Sequence, residues 1–182
     1  CQPATIYLDA SGQITIDTTG LIVSTGDNCS VDSVWVNVND TLYGCVDTGA
    51  ATVTIYVQDP SGNIDSCITT VTVLDTIIPT IVCQPATLYL DASGQLIVDT
   101  TGLIVSTGDN CSVDSVWVNV NDTLYGCVDT GAATVTIYVM DPSGNIDSCT
   151  SVITVLDTII PTIVCQPATI YLDASGQITI DT

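Results

Sequence analysis

The chain has 182 residues, twenty of them aspartate, and contains no Glu, Lys, Arg or His, so its formal net charge is −20. No side chain can be cationic at neutral pH. That excludes nucleic-acid binding through phosphate neutralisation, hydrolase triads that need a basic partner, imidazole metal sites and Lys–Asn isopeptide staples.

Carboxylate-pair hydrolysis is the one catalysis the composition leaves. No aspartate stands apart from the turn pattern, so the chain reads as a non-enzyme. Apolar residues make up 46%, ordinary for a globular protein. They are mostly Val, Ile and Leu, with abundant Thr, which is β-sheet composition. No apolar run reaches the length of a membrane-spanning helix. The opening stretch from Cys1 to Gly12 lacks the basic and apolar regions of a secretion signal.

An internal repeat organises the chain. The stretch that opens at Cys1 returns at Cys83 and again at Cys165, a period of 82 residues. Residues 1–82 and 83–164 differ only at Ile6/Leu88, Ile14/Leu96, Thr15/Ile97, Ile16/Val98, Gln58/Met140, Ile68/Thr150, Thr69/Ser151, Thr70/Val152 and Val71/Ile153. Residues 165–182 repeat 1–18 without change. Such a unit suits a small autonomous domain. The expected divisions are 1–75, 76–157 and the start of a third repeat at 158–182. The third stops inside an expected strand at Asp181-Thr182, as in a window cut from a longer array. The linker around Asp75-Thr76-Ile77-Ile78-Pro79 is short and apolar, so successive repeats are expected to be held rigidly.

Taken along the chain, alternation with period 2 marks the strands. In Ser33-Val34-Trp35-Val36-Asn37-Val38-Asn39 the valines share one face. Ala86 to Asp91 and Gln95 to Asp99 also alternate. In Thr134 to Met140, Val135, Ile137 and Val139 point one way, and Thr134, Thr136, Tyr138 and Met140 the other. Turns fall at Ala92-Ser93-Gly94, Thr107-Gly108-Asp109-Asn110, Thr130-Gly131 and Pro142-Ser143-Gly144-Asn145. About seven short strands per repeat predict an all-β fold of tandem immunoglobulin-like antiparallel β-sandwiches. The alternation places Trp35 and Trp117 outward. The burial usual for Trp, and its place on the equivalent strand of such sandwiches, favour the core, and that is the expectation.

Each repeat carries four cysteines: Cys1, Cys29, Cys45 and Cys67, then Cys83, Cys111, Cys127 and Cys149, with Cys165 opening the third. Without His, and without close C-x2-C pairs, they read as structural disulfides of an oxidising compartment rather than as zinc ligands. Three pairings are open within a repeat. In an immunoglobulin-like sandwich the first and last strands run parallel, so their starts lie at one end. That favours Cys1–Cys67 and Cys83–Cys149, and leaves Cys29–Cys45 and Cys111–Cys127 by elimination.

Asp59-Pro60-Ser61-Gly62-Asn63-Ile64-Asp65 spaces oxygen ligands like the opening of an EF-hand loop, but Gly sits at its fourth position and Thr70 stands where the closing Glu belongs. A tight turn is the favoured reading. Asp59, Asn63 and Asp65, with Asp141, Asn145 and Asp147 in the copy, are the Ca²⁺ candidates. Asp27-Asn28 and Asp75 could add ligands where repeats meet. Asn28, Asn39, Asn110 and Asn121 fit the N-x-[ST] glycosylation triplet.

The segment Asp75…Ile78-Pro79-Thr80-Ile81-Val82-Cys83, then Asp109-Asn110-Cys111, Thr134-Val135-Thr136-Ile137…Asp141…Gly144-Asn145…Cys149 and Val152-Ile153-Thr154-Val155-Leu156-Asp157 resembles a hyalin-repeat (HYR) domain. The form that opens Cys-Gln and continues Leu-Asp-Ala-Ser-Gly-Gln is similar to tandem repeats of large bacterial surface adhesins and gliding-associated filament proteins. The resemblance implies an extracellular or cell-surface location and a role in adhesion. It also implies O-glycan acceptors in the recurring Asp-[Ser/Thr] pairs, at Thr18, Ser33, Thr41 and Thr76 and at Thr100, Ser115, Thr123 and Thr158. The expected function is a structural element of an extracellular fibre, filament or adhesin stalk, glycosylated and disulfide-stapled, whose repeats associate with neighbouring repeats or chains. The competing expectation is a multivalent glycan- or protein-binding adhesion module. Neither needs a resident cofactor beyond Ca²⁺.

Overall fold

The computed structural model describes residues 1–180, and the strand end expected at Asp181-Thr182 lies outside them. The chain is all-β. The first repeat contains β1 (Ala4–Tyr7), β2 (Gln13–Thr15), β3 (Ser33–Val36), β4 (Leu42–Gly44), β5 (Gly49–Gln58) and β6 (Ile64–Leu74). The second contains β7 (Thr80–Cys83), β8 (Ala86–Tyr89), β9 (Gln95–Ile97), β10 (Ile104–Gly108), β11 (Ser115–Val118), β12 (Leu124–Gly126), β13 (Gly131–Met140) and β14 (Ile146–Leu156). Short 3-10 turns flank β4 and β12.

Each repeat is a sandwich with one four-stranded sheet, ordered β1-β6-β5-β3 in the first and β8-β14-β13-β11 in the second. The opposite layer holds the β2-β4 pair or the β9-β12 pair. Neighbours are antiparallel except the first strand against the last: β1 runs parallel to β6, and β8 to β14. Val135, Ile137 and Val139 are fully buried, on the face their alternation selects. They meet Leu90, Val98 and Leu103 in one core. The first repeat builds a matching core from Val53, Ile55, Val71 and Val73 against Leu8, Ile16, Leu21 and Tyr43. Each such side chain contributes about 1.5–3 kcal/mol through removal from water.

The two repeats differ where a neighbour matters. Ile22-Val23-Ser24-Thr25-Gly26 and Ile104-Val105-Ser106-Thr107-Gly108 are the same five residues. The second copy is strand β10, paired antiparallel with β7, while the first forms no strand. Residues 80–83 supply the partner β7 in repeat two, whereas among the described residues no strand lies beside 22–26 in repeat one, and a lone strand with unpaired backbone is not stable in water. The same reasoning covers residues 158–180, which form a turn at Asp173 but no strand. The opening strands of a repeat need later strands to pair with, as β1 pairs with β6 and β2 with β4.

Trp35 and Trp117 correct the expectation of a core position. Each lies on the outer face, opposite Tyr56 or Tyr138 across the strand pair. Each stacks on that tyrosine with ring centroids 5.6 Å apart and stays 36% exposed. The indole thus loses water on one side to the tyrosine ring instead of to the core.

Candidate functional site at the junction between repeats

The junction is built from three segments. The first is the linker. Asp75 is buried, at 6% exposure, and so is Pro79. The Asp75 Oδ1 atom accepts the backbone N–H of Ile77 at 3.1 Å, which turns the linker toward repeat two. Asn145 then clamps it: its amide Nδ2 donates to the carbonyls of Asp75 at 3.2 Å and Ile77 at 3.3 Å. Asn145 is itself fixed by Asp141, which accepts its Nδ2 at 2.7 Å and its backbone N–H at 2.8 Å.

The second segment is the loop Asp109-Asn110-Cys111-Ser112. The Oδ2 atom of Asp109 accepts the N–H groups of Cys111 and Ser112 at 2.9 and 3.1 Å, an Asx turn that holds the loop's shape. The Nδ2 of Asn110 donates across the junction to the Asp9 carbonyl at 3.3 Å and to Asp75 Oδ1 at 3.2 Å. The third segment is the end of repeat one: the Asp9–Gly12 turn and the 3-10 turn Cys45–Asp47. Gly12 has φ +71°, and a Cβ built there would stand 2.6 Å from the Asn110 carbonyl oxygen. Only glycine lets the two backbones approach this closely.

A disulfide closes the site. Cys45 of repeat one is bonded to Cys111 of repeat two, with Cα atoms 5.4 Å apart, and Cys111 packs against the core of repeat one. The other two disulfides lie within repeats, Cys1–Cys67 and Cys83–Cys149, each joining the residues just ahead of β1 or β8 to the parallel strand β6 or β14. Cys29, Cys127 and Cys165 are free and exposed among the described residues. The expected pairs Cys29–Cys45 and Cys111–Cys127 are therefore wrong. Cys111 lies at the pole of its sandwich that faces the preceding repeat. Cys127, the counterpart of Cys45, lies beside Gly94 at the pole that faces the following one. Cysteines at opposite poles cannot reach each other, and elimination within a repeat fails because the partner sits in the next repeat. All three rings close over the same separation of 66 residues, for which loop-closure entropy gives about 4 kcal/mol each.

The electrostatics of the junction are one-sided. Asp75 and Asp109 bring carboxylate oxygens within 4.8 Å of each other with no cationic side chain beside them. Three buried oxygens accept no hydrogen bond: Asp75 Oδ2, Asp109 Oδ1 and Asn110 Oδ1. In each of these side chains one polar atom is anchored and the other is bare. The identical residues elsewhere lack this environment. Asp27, Asn28 and Cys29 are exposed, as is Asp157, because nothing packs on them.

The loop at Asp59 is a self-contained turn. Its carboxylate accepts the N–H groups of Ser61 and Asn63 at 2.8 Å and the Asn63 side-chain amide at 2.7 Å. The Asn63 amide foremost, with the backbone, holds the Asp59 carboxyl below its ordinary range. Asp65 lies exposed on β6 and caps the N–H of Ser66. Asp147 is half-buried on β14. Asp141 and Asn145 serve the linker clamp. In the turns of Asp9, Asp91 and Asp173 the neighbouring serine hydroxyl is the main cause of a lowered pKa.

Asn28, Asn39 and Asn121 are exposed. Asn110 is not a free acceptor: the nitrogen a glycan would occupy already donates to Asp9 and Asp75. Among the hydroxyl candidates Thr76 and Thr158 are exposed, whereas Thr18, Ser33, Thr100 and Ser115 are half-buried. Thr41 and Thr123 donate their hydroxyls to the carbonyls of Val38 and Val120. Sequence reasoning did not find the linker clamp of Asn145 or the backbone contact at Gly12. Both turns were visible in the residue types, but not what each turn would touch.

No protein-family model matches the chain, and no curated protein matches it. Among solved structures, human protocadherin-24 EC1-2 aligns at 12% identity over 86% of this chain and 95% of that one, with a TM-score of 0.38. Protocadherin gamma B7 cadherin domains 1-4 align at 11% identity over 86% and 50%, TM-score 0.38. The fibronectin(III)-like modules of Clostridium thermocellum CbhA align at 12% over 90% and 96%, TM-score 0.28. The chain spans 42% of the length of mouse clustered PcdhgC3 EC1-3 and 50% of that of the protocadherin gamma B7 structure. These likenesses are too distant to carry function. The β-sandwich stands on the strand order and register above.

Proposed function

We propose that the chain is a segment of an extracellular, load-bearing tandem array, a fibre or adhesin stalk, in which successive immunoglobulin-like repeats are crosslinked in series. The observation that carries this reading is the Cys45–Cys111 disulfide between repeats. Cys29 holds the position of Cys111, and Cys127 that of Cys45, one period away. A longer array would therefore carry the same bridge at every junction. The resemblance to hyalin repeats, and disulfides of a kind that persist in oxidising compartments, support the extracellular location. The repeats 1–75 and 76–157 are the units of the array. Exposed Asn39, Asn121, Thr76 and Thr158 suit surface glycans.

Alkylation and electron microscopy test this reading. In the protein purified without reductant, Cys45 and Cys111 should resist alkylation while Cys29 and Cys127 react. Images should show straight particles with a narrow bend distribution at the junction, which widens on reduction. Reactive Cys45 and Cys111, or freely hinged beads before reduction, would overturn the proposal.

A second reading, a multivalent glycan-binding module, draws on the Trp35–Tyr56 and Trp117–Tyr138 ledges. They are half-exposed, stacked aromatic surfaces repeated once per domain, suited to the face of a sugar ring.

A further inference from the structure

We propose that the junction between repeats is a calcium site, formed by Asp75 of the linker with Asp109 and Asn110 of the following repeat. It stands apart from the Asp59 and Asp141 loops, where N–H donors already occupy the carboxylates. Asp75 supplies the first ligand. The residue is 6% exposed, and only one of its two carboxylate oxygens has a partner, so Oδ2 is a buried acceptor without a donor. A native fold seldom leaves such an atom uncompensated.

The neighbours that could compensate it do not. Asp109 brings a carboxylate oxygen within 4.8 Å of Asp75 and carries a bare oxygen of its own, and Asn110 adds a bare amide oxygen while its nitrogen holds Asp75 Oδ1. All three free groups are acceptors, two belong to carboxylates, and the chain has no Lys, Arg or His to supply a cationic partner. A cation between the two carboxylates would compensate them, with the Asn110 amide oxygen on the same loop as a further ligand.

The chemistry of the set selects the ion. Every available ligand is a hard oxygen, and the one sulfur within reach, on Cys111, is tied up in a disulfide. Thiolate-seeking metals are therefore disfavoured. The oxygens come from two loops and a linker rather than from one rigid frame, and Asp109 and Asn110 are half-exposed, which leaves room for water to complete the shell. Calcium accepts six to eight oxygens in adaptable geometry, whereas magnesium demands a strict octahedron. The site exists only where two repeats meet: Asp27-Asn28 and Asp157 are each half of it, and both are exposed. Calcium would therefore stiffen junctions, whether or not the array bears load.

Calorimetric titration of Ca²⁺ into the oxidised 182-residue protein tests the proposal, at about 0.15 M NaCl so that the diffuse cation atmosphere is screened. The expected result is one saturable ion per chain, because residues 1–180 contain one complete junction. Asp109→Asn is the diagnostic variant. Its amide oxygen can keep the Asx turn to Cys111 and Ser112, while its nitrogen replaces the bare oxygen. It should weaken binding at least tenfold and abolish the rise in unfolding temperature that calcium gives the wild type over a chelator. Asp59→Asn should change neither. Formation of the Cys45–Cys111 bridge in the variant confirms that the junction has folded. Uptake that never saturates, a single site indifferent to Asp109→Asn, equal loss in Asp59→Asn, or equally tight binding of Mg²⁺ would each overturn the assignment.

Discussion

At the scale of single residues, the duplicated sequence provides its own controls. Gly12 and Gly94 share a turn and a positive φ, +71° and +76°. A Cβ at Gly12 meets the Asn110 carbonyl oxygen and Cys45 Sγ, both at 2.6 Å, whereas at Gly94 it meets only the free Cys127 sulfur at 2.7 Å. Both alanine variants bear the left-handed strain of about 1–2 kcal/mol. Gly12→Ala adds a collision with backbone that cannot rotate away, so the repeats must separate. The expected outcome is a larger fall in unfolding temperature for Gly12→Ala than for Gly94→Ala, with Cys45 and Cys111 open to alkylation only in the former. Equal falls would show that the close approach does not matter.

Protonation acts at the same scale. Asp91 accepts the Ser93 hydroxyl at 2.6 Å and the N–H groups of Ser93 and Gln95 at 2.8 and 3.0 Å, and these bonds lower its pKa from 3.8. A depressed carboxylate pKa stabilises the fold above the unfolded value and ceases to do so as pH falls through the folded one. Wild type should therefore exceed Asp91→Asn in unfolding temperature at neutral pH. The gap should close as pH drops below about 3.8. Comparing the two proteins cancels the relief of charge repulsion that acid gives to both. A gap independent of pH would refute the role of this carboxylate.

Strands divide into those fixed by their own pattern and those fixed by a partner. The faces of β13 and of its copy β5 were legible because Val and Ile alternate with Thr and Tyr along the pleat, and a slip of one residue would expose the whole core face. The parallel pairing of first and last strands followed from the sandwich topology. β10 was not legible as a strand, since its five residues are strand in one repeat and not in the other; the deciding term is the backbone pairing offered by β7. The outward position of Trp117 was present in the alternation, yet the general burial of Trp argued against it. The stacked Tyr138 on the adjacent strand settles the conflict, and register alone reveals it. Asp75 was visible as a linker acid, whereas its confrontation with Asp109 depends on how two sandwiches dock. The cysteine pairing was missed on the same ground: chain order shows which residues share a repeat, but not which pole of the sandwich each occupies.

Across the whole molecule, the three disulfide rings overlap like links. They span residues 1–67, 45–111 and 83–149. The stretch between Cys67 and Cys83 lies outside both rings within repeats, so the linker is braced only by Cys45–Cys111. Two covalent paths then join the repeats, and loss of the linker alone should not part them. The absence of Lys and Arg makes this testable with one cut. Thr76 is exposed, and Thr76→Lys creates the only tryptic site in the chain. Cleavage in urea, with disulfides intact, should leave a single species on a non-reducing gel at the mass of the uncut 18.9 kDa chain. Reductant should release two fragments. Adding Cys45→Ser should release them without reductant. Separation of the cut Thr76→Lys protein before reduction would show that the bridge between repeats does not form, and the serial crosslinking of the array would fall with it.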